Sequence, residues 1–214
     1  MRKSASEKRR RQLLQHDQYF LNQGFSSLAG VDEAGRGPLA GPVVASAVIV
    51  RDFSFSCRVD DSKAMTAGER HSAYGEILER CDVGVGIVGP GSVDRVNILQ
   101  ATLLAMRQAV MNLSRPPDCV LVDGRETPRL PHLQIRIVNG DALSFSIACA
   151  SVVAKVVRDS LMDYYDGIYP DYGFSRHKGY GTAAHLEALK RKGPCGIHRR
   201  SFAPLRGATS WKLS

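Results

Sequence analysis

Residues 28–50 read LAGVDEAGRGPLAGPVVASAVIV, and this stretch decides the fold. A short apolar run ends in two adjacent acids, Asp32 and Glu33, and three glycines follow within residues 35–41. A second apolar segment, 42–50, is rich in β-branched residues, so the stretch predicts two strands joined by a glycine-rich loop. Buried carboxylates are costly unless a cation lies beside them, and glycines let the main chain approach a ligand closely. We therefore expect a metal site beside a polar, phosphate-bearing ligand.

The composition narrows the class of protein. The chain has 214 residues and a formal net charge of +8, which favours one domain and a polyanionic partner, most commonly nucleic acid. The five cysteines form no CxxC pair, which argues against structural zinc and for a reducing compartment. No apolar run reaches the ~18 residues of a membrane span. We expect a cytoplasmic protein with no membrane partner.

Three segments are expected along the chain. Residues 1–27 form a basic N-terminal extension with a short helix that ends near Gly24, and the first twelve residues are expected to be solvated. Non-specific phosphate contacts or a mitochondrial transit peptide are the alternatives for this basic head. Residues 28–205 form the main domain, with a helical C-terminal part, and residues 206–214 form a tail.

Strands and helices are mixed beyond residue 50, which predicts an α/β or α+β domain around one mixed sheet. Thr66 and Glu69 have the spacing of a capping box at the start of a helix. The predicted strands are 83–88, 119–122 and 134–138, with a further one within 51–59; the predicted helices are 66–80, 97–113, 145–165 and 182–192. The predicted helix 145–165 has a side of small residues that can lie close to a sheet.

Four acids lie at or just beyond predicted strand ends: Asp32, Glu33, Asp123 and Asp141. Ligands bind beyond strand ends in such folds, so these side chains are expected to converge. Two carboxylates ~4 Å apart repel by about 4 kcal/mol at an effective dielectric near 20. Hard divalent ions, Mg²⁺ or Mn²⁺, relieve that repulsion, and two such ions are the usual apparatus for attack of water on a phosphodiester.

Alternatives remain open for three of the acids. Adjacent strand residues point to opposite faces, so Asp32 and Glu33 share a site only if the strand ends between them; otherwise one contributes through its main-chain carbonyl. Asp141 precedes a predicted helix and could cap it instead. Asp159 competes with Asp141, but up to about 27 Å of helix separates them. We favour Asp141 and interpret Asp159 as a surface or ion-pairing residue.

The ordered motifs resemble those of bacterial ribonuclease HII over most of the chain. The first block, GVDEAGRGPLAGP at 30–42, is the most specific. The others are DSK at 61–63, VDG at 122–124, GD at 140–141, SIACAS at 146–151, AKVVRD at 154–159, HKGYGT at 177–182, HR at 198–199 and SF at 201–202. Two departures are Ala64-Met65 where Lys-Leu is common, and Cys149 where alanine is usual.

The resemblance implies a ribonuclease H-like fold, with a five-stranded mixed sheet flanked by helices. It implies cleavage of the RNA strand of RNA/DNA hybrids and incision at single ribonucleotides in duplex DNA, leaving 3′-hydroxyl and 5′-phosphate ends. By that similarity the four acids bind two divalent metals. The main chain of Gly35, Arg36 and Gly37 would read the ribose 2′-hydroxyl, and Tyr180 would pack on the following sugar. Lys63 and Lys178 would contact phosphates.

Other functions compete with this interpretation. Ribonuclease HIII also cleaves hybrids, but it usually carries a further N-terminal substrate-binding domain, for which 27 residues are too few. A non-catalytic nucleic-acid-binding protein would explain the charge and leave the acids unexplained. A metal phosphatase would leave the positive charge unexplained. We expect a monomeric enzyme.

Overall fold

The computed structural model describes residues 2–207, with side chains from residue 7 onward, and contains one five-stranded mixed sheet. The strand order is β3-β2-β1-β4-β5, with β1 antiparallel to β2 and parallel to β4. The strands are β1 Leu28–Ala34, β2 Val43–Val50, β3 Cys81–Val88, β4 Cys119–Asp123 and β5 Leu133–Ile137. The sheet confirms the predicted fold class and places β1 at its centre.

Seven α-helices surround the sheet in the described residues. They are α1 Arg2–Asn22, α2 Ala67–Arg80, α3 Pro90–Val96, α4 Ile98–Met111, α5 Phe145–Ile168, α6 Phe174–His177 and α7 Ala183–Lys192. The capping box of Thr66 and Glu69 is present at α2. The strand predicted within 51–59 was wrong, since that segment has no strand, and α3 was not predicted. None of these helices combines the length and apolar character needed to cross a membrane.

The central helix α5 lies directly on β1. Its buried alanines, among them Ala148, Ala150 and Ala154, confirm the predicted side of small residues. The closest approach is at Gly30, where an added Cβ would lie 2.2 Å from the main-chain carbon of Ser146. A glycine here lets two backbones meet. This contact fixes the start of α5 against the central strand.

The N-terminal helix α1 is packed against the domain. The prediction of a solvated basic head was wrong for Arg9 and Arg10, which are partly buried, whereas Lys8 and Arg11 are exposed. Leu13 is fully buried in the core between α5 and the sheet. Arg9 donates from Nε to Asp60 at 2.9 Å and from its terminal nitrogen to the carbonyl of Ala142 at 3.0 Å. Since Asp60 and Ala142 lie in separate loops, α1 joins them.

Asp17 on α1 supports the start of α5. Its carboxylate is 2% exposed and accepts hydrogen bonds from the Ser144 hydroxyl and, at 2.8 Å, from the main-chain N–H of Ser146. Burial raises the pKa of Asp17, although both hydrogen bonds act in the opposite direction. Asp17 therefore links the N-terminal extension to the first turn of the central helix.

We expect Asp17→Asn to lower the free energy of unfolding by about 1–3 kcal/mol, because each carboxylate oxygen accepts a hydrogen bond in a buried site and the amide keeps only one acceptor oxygen. Urea denaturation measures the change. Glu79→Gln, on the exposed face of α2, is the matched control and should leave stability within about 0.5 kcal/mol. Equal stability of the two variants would contradict the proposed support.

The C-terminal part carries a buried histidine pair. The Nε2 atoms of His185 and His198 lie 3.0 Å apart, so one ring must donate and the other accept. His198 also contacts Cys195 through Nδ1, and His185 contacts the carbonyl of Tyr180 at 2.9 Å. Burial, followed by the nearby His185, lowers the pKa of His198 to about 4, and burial lowers the pKa of His185. Both rings are therefore neutral in the folded protein near pH 7.

Acid should weaken the fold through these rings. In the unfolded chain His198 takes up a proton as the pH falls below its ordinary pKa near 6.5. In the folded chain its pKa is depressed, so it takes up the proton only near pH 4. Stability is thus full above pH 6.5 and falls by up to about 3 kcal/mol toward pH 4 for His198. Denaturation at pH 7 and pH 5 should show this loss reduced in His198→Gln and unchanged in His71→Gln, which alters an exposed ring on α2. An unaltered loss in His198→Gln would contradict the assignment.

Candidate metal and nucleic-acid site

Three carboxylates meet at one edge of the sheet. Asp32, Asp123 and Asp141 each offer an oxygen, and these atoms all lie within 4.8 Å of one another. Asp32 lies near the end of β1, Asp123 ends the neighbouring parallel strand β4, and Asp141 lies in the turn after β5. Parallel neighbours bring their carboxyl ends to the same edge, and Val31 pairs with Val122 immediately before the two acids. The topology therefore produces the cluster.

Main-chain and hydroxyl donors hold two of these carboxylates. Asp32 accepts from the N–H of Glu33 at 2.6 Å and from the Ser151 hydroxyl, which itself lies 2.8 Å from the hydroxyl of Ser62. Asp123 accepts from the N–H of Gly140 at 2.6 Å. The acids are thus fixed in place before any ligand binds.

The cluster is electrostatically strained without a cation. Burial raises the pKa of Asp32 well above its usual range, and the charges of Glu33 and Asp123 raise it further. Burial also raises the pKa of Asp123 and that of Asp141, and Asp61 raises the pKa of Asp141 further. Neighbouring carboxyl groups that are buried together resist losing all their protons. A bound cation would instead favour the ionised carboxylates.

Glu33 lies beside the three-acid cluster, and its part in a metal site stays a prediction. After burial, the charge of Glu33 is the largest cause of the raised pKa of Asp32, so Glu33 is close to that carboxylate. It lines a groove of about 490 Å³ with Asp123 and Arg36, whose guanidinium lies 3.3 Å from its carboxylate. Burial raises the pKa of Glu33 in spite of Arg36.

The residue that caps α5 decides between the alternatives for Asp141. Ser144, and not Asp141, caps α5, since its hydroxyl accepts from the N–H of Ile147. Asp159 forms an ion pair with Lys155 at 2.8 Å, as predicted. Asp141 is thereby available to the cluster.

The loop after residue 59 adds a cation and an unpredicted acid. The ammonium of Lys63 lies 3.7 Å from Asp141. Although burial lowers the pKa of Lys63, the surrounding carboxylates outweigh it and the pKa is raised. Asp61 shares a hydrogen bond with Asp141, a contact that the sequence analysis missed because it treated Asp61 only as part of a motif. The signal that indicates this contact is the position of Asp61, two residues before Lys63, the lysine expected to bind phosphate.

The glycine-rich loop lies beside the expected tyrosine. Gly35 has a φ of +96°, and an added Cβ there would lie 2.0 Å from Nε of Arg158, so only glycine fits. A Cβ on Gly37 would lie 3.6 Å from the ring of Tyr180, which is about half exposed. Lys178, by contrast, pairs with Asp163 on α5. The structure therefore brings the loop and Tyr180 together, and Lys178 has a protein partner.

The donor set fits a hard divalent ion. Carboxylate oxygens are the ligands that Mg²⁺ and Mn²⁺ prefer. Asp32, Asp123 and Asp141 would hold the metal, since each offers an oxygen within 4.8 Å of the others. The ammonium of Lys63 faces the same three acids, whose charges raise its pKa.

Comparison with known proteins identifies the family. The profile described as Ribonuclease HII matches residues 29–205. The chain belongs to the ribonuclease HII family. The family's members are metal-dependent endoribonucleases that cleave the RNA strand of RNA/DNA hybrids, and this enzyme is one of them.

Individual ribonucleases agree with this assignment. Ribonuclease HII of Syntrophobacter fumaroxidans is 54% identical over 197 residues, which cover 92% of this chain and 84% of its own. The Chlamydia trachomatis serovar L2 enzyme of the same name is 51% identical and covers 87% of this chain and 86% of its own. The crystal structure of ribonuclease H2 from Pyrococcus horikoshii has a TM-score of 0.70 and 26% identity, covering 84% of this chain and 95% of that one. The ribonuclease HII fold thus extends over nearly the whole chain.

Proposed function

We propose that this ribonuclease HII also incises duplex DNA on the 5′ side of single embedded ribonucleotides. Hydrolysis would use two divalent ions and leave 3′-hydroxyl and 5′-phosphate ends. The observation that carries the proposal is the meeting of three carboxylates, the buried Asp32 and Asp141 and the half-buried Asp123, next to a main-chain loop that can read one sugar.

Each acid has a distinct part in this proposal. Asp32, Asp123 and Asp141 bind the metals through side chains, and Glu33 joins them from the groove that it lines with Asp123. Divalent ions bound there would activate the attacking water and stabilise the charge that develops on the phosphate. The Glu33 carboxylate, held by Arg36 at 3.3 Å, acts at the groove through which the duplex enters.

The sugar is read by the glycine-rich loop and Tyr180. The 2′-hydroxyl is the group that separates a ribonucleotide from a deoxyribonucleotide at one position. The main chain of Gly35, Arg36 and Gly37 contacts it, and the ring of Tyr180, adjacent to Gly37, packs on the next sugar. A site that examines one sugar does not need a run of ribonucleotides.

The lysines have unequal parts. Lys63 is 80% exposed in its side chain and lies 3.7 Å from Asp141, so it is placed to contact the scissile phosphate. Lys178 must exchange its partner Asp163 for a phosphate, so we expect a smaller contribution from it. Phosphate contacts of this kind position a duplex without reading its sequence.

Cleavage of a DNA duplex that contains one ribonucleotide tests the proposal, with Mg²⁺ and with Mn²⁺ in separate reactions. The expected product is a single nick on the 5′ side of the ribonucleotide, mapped on a sequencing gel against chemically defined ends. An RNA/DNA hybrid of the same sequence is the positive control, and an all-DNA duplex is the negative control. Good cleavage of the hybrid without nicking at the single ribonucleotide would contradict the proposal and indicate the behaviour expected of ribonuclease HIII.

The proposal includes a monomer that acts in the cytoplasm. All five cysteines are free thiols, four of them buried, which suits a reducing compartment. Size-exclusion chromatography with light scattering should give one chain, near 23.4 kDa. A dimer at micromolar concentration would contradict that part.

A further inference from the structure

Two arginines are buried without a carboxylate partner beneath the glycine-rich loop. Arg158 on α5 is 1% exposed and Arg199 is fully buried. No carboxylate in residues 7–207 forms an ion pair with either guanidinium. A buried charge is costly unless dense hydrogen bonding compensates it. Burial lowers the pKa of both groups, that of Arg199 to about 9 with a further contribution from Arg158.

Main-chain carbonyls of one short segment provide the compensation. Arg199 donates to the carbonyls of Gly35, Arg36, Pro38 and Gly41 at 2.6, 3.0, 2.9 and 3.0 Å. Arg158 donates to those of Ala40 and Pro42 at 3.2 and 3.1 Å, and to that of Lys178 at 3.0 Å. The main-chain N–H of Arg199 binds the carbonyl of Leu39 at 2.8 Å. In residues 35–42, only the carbonyl of Gly37 has no such partner in the described structure.

This bonding sets the direction of the loop's N–H groups. In a planar trans peptide the carbonyl and the following N–H point in opposite directions. The carbonyls of Gly35 and Arg36 point at Arg199, so the N–H groups of Arg36 and Gly37 point away from it. No partner for these two N–H groups is present in residues 2–207. Two donors and the Gly37 carbonyl are therefore left for a ligand that both donates and accepts, as a hydroxyl does.

We propose that Arg199 and Arg158 are positioning residues that set the discrimination between ribonucleotide and deoxyribonucleotide, by holding the carbonyls of residues 35–42 inward. The inference rests on the proposed function of the loop. Arg199 has the larger part, because its guanidinium holds the two peptide groups whose N–H donors would meet the 2′-hydroxyl. Arg158 acts through the following residues and through Lys178, two positions before Tyr180.

A purely structural role predicts something different. If the two arginines only tie the C-terminal part to the loop, substituting them would reduce the folded fraction. Such a substitution would weaken the binding of all duplexes equally. Lysine substitution separates the two roles, since it keeps the positive charge and loses the planar set of donors. The ratio of affinities for two duplexes is independent of the folded fraction, so it reports positioning.

The experiment measures that ratio in the full-length chain carrying Asp123→Asn, so that duplexes stay intact. Fluorescence anisotropy gives Kd for an all-DNA duplex and for the same duplex with one ribonucleotide. We expect Arg199→Lys to lower the preference for the ribonucleotide about tenfold and Arg158→Lys about threefold. Ile77→Ala, on the buried face of α2, is the stability control and should lower the midpoint of thermal unfolding without changing the ratio.

The outcomes are distinct. If Arg199→Lys is folded and keeps the parent ratio, the inference is overturned. If Arg199→Lys does not fold, Arg158→Lys decides by the same criterion, and an unchanged ratio in that variant overturns the inference. A parent ratio near one, with hybrid cleavage intact in the wild type, would instead contradict single-ribonucleotide reading by the loop.

Discussion

Asp123→Asn should abolish cleavage while leaving the fold and duplex binding intact. The asparagine carbonyl can still accept the hydrogen bond from Gly140, which Asp123 Oδ1 receives at 2.6 Å, so the end of β4 should hold its position. The substitution removes one charge from a cluster whose oxygens lie within 4.8 Å. Loss of metal-based stabilisation worth several kcal/mol corresponds to about 10³-fold or more in rate.

Three measurements check this expectation. Single-turnover cleavage of a hybrid gives the rate, anisotropy gives duplex affinity, and thermal unfolding without metal gives stability. The metal-free variant should be at least as stable as the wild type, because Asp123 raises the pKa of Asp32 by repulsion. Asp159→Asn is the matched control, since that acid pairs with Lys155 outside the cluster, and its activity should stay within about threefold. Undiminished cleavage by Asp123→Asn would remove the basis of the proposed mechanism.

Gly30→Ala should destabilise the whole domain. The new Cβ would lie 2.2 Å from the carbon and 2.5 Å from the oxygen of Ser146, and 2.3 Å from the nitrogen of Ile147. These are main-chain atoms, so no rotamer change relieves the overlap, and α5 must move away from β1. Overpacking of this severity should cost at least about 3 kcal/mol of unfolding free energy.

Gly75→Ala is the matched control for that prediction. Gly75 lies inside α2, and an added Cβ there meets nothing within 4 Å. Alanine is the better helix former, so this variant should gain up to about 1 kcal/mol. Chemical denaturation of both variants gives the comparison. If Gly30→Ala were as stable as Gly75→Ala, the close approach of α5 to the central strand would be wrong.

The sheet and the acid cluster could be predicted because local patterns carry them. Strand β4 is a continuous apolar run that ends in Asp123, and β1 is apolar up to Asp32, near its end, so parallel pairing brings the two acids together. The capping box at Thr66 marked the start of α2 to the residue. Features of this kind depend on residues only a few positions apart.

Other features depended on facts that no local pattern contains. Glu33 adjoins Asp32 in the sequence but lies outside the group of three acids whose oxygens are within 4.8 Å of one another. The partner of Lys178 is Asp163 on α5, and only the packing of the folded chain brings these two side chains together. Arg199 entered the sequence analysis only as part of the HR motif at 198–199, yet it is buried against a loop more than 150 positions earlier in the chain. Tertiary contact decided each of these.

The placement of α1 has a practical consequence for where the protein can be cut. The family profile begins at residue 29, but Leu13, Arg9 and Asp17 make contacts on which two later loops and the start of α5 depend. A chain shortened to residues 29–205 would leave Arg58 as the remaining ion-pair partner of Asp60 and would remove Leu13 from the apolar core. The family profile therefore begins after a helix that contributes to the core, and an expressed chain should include α1.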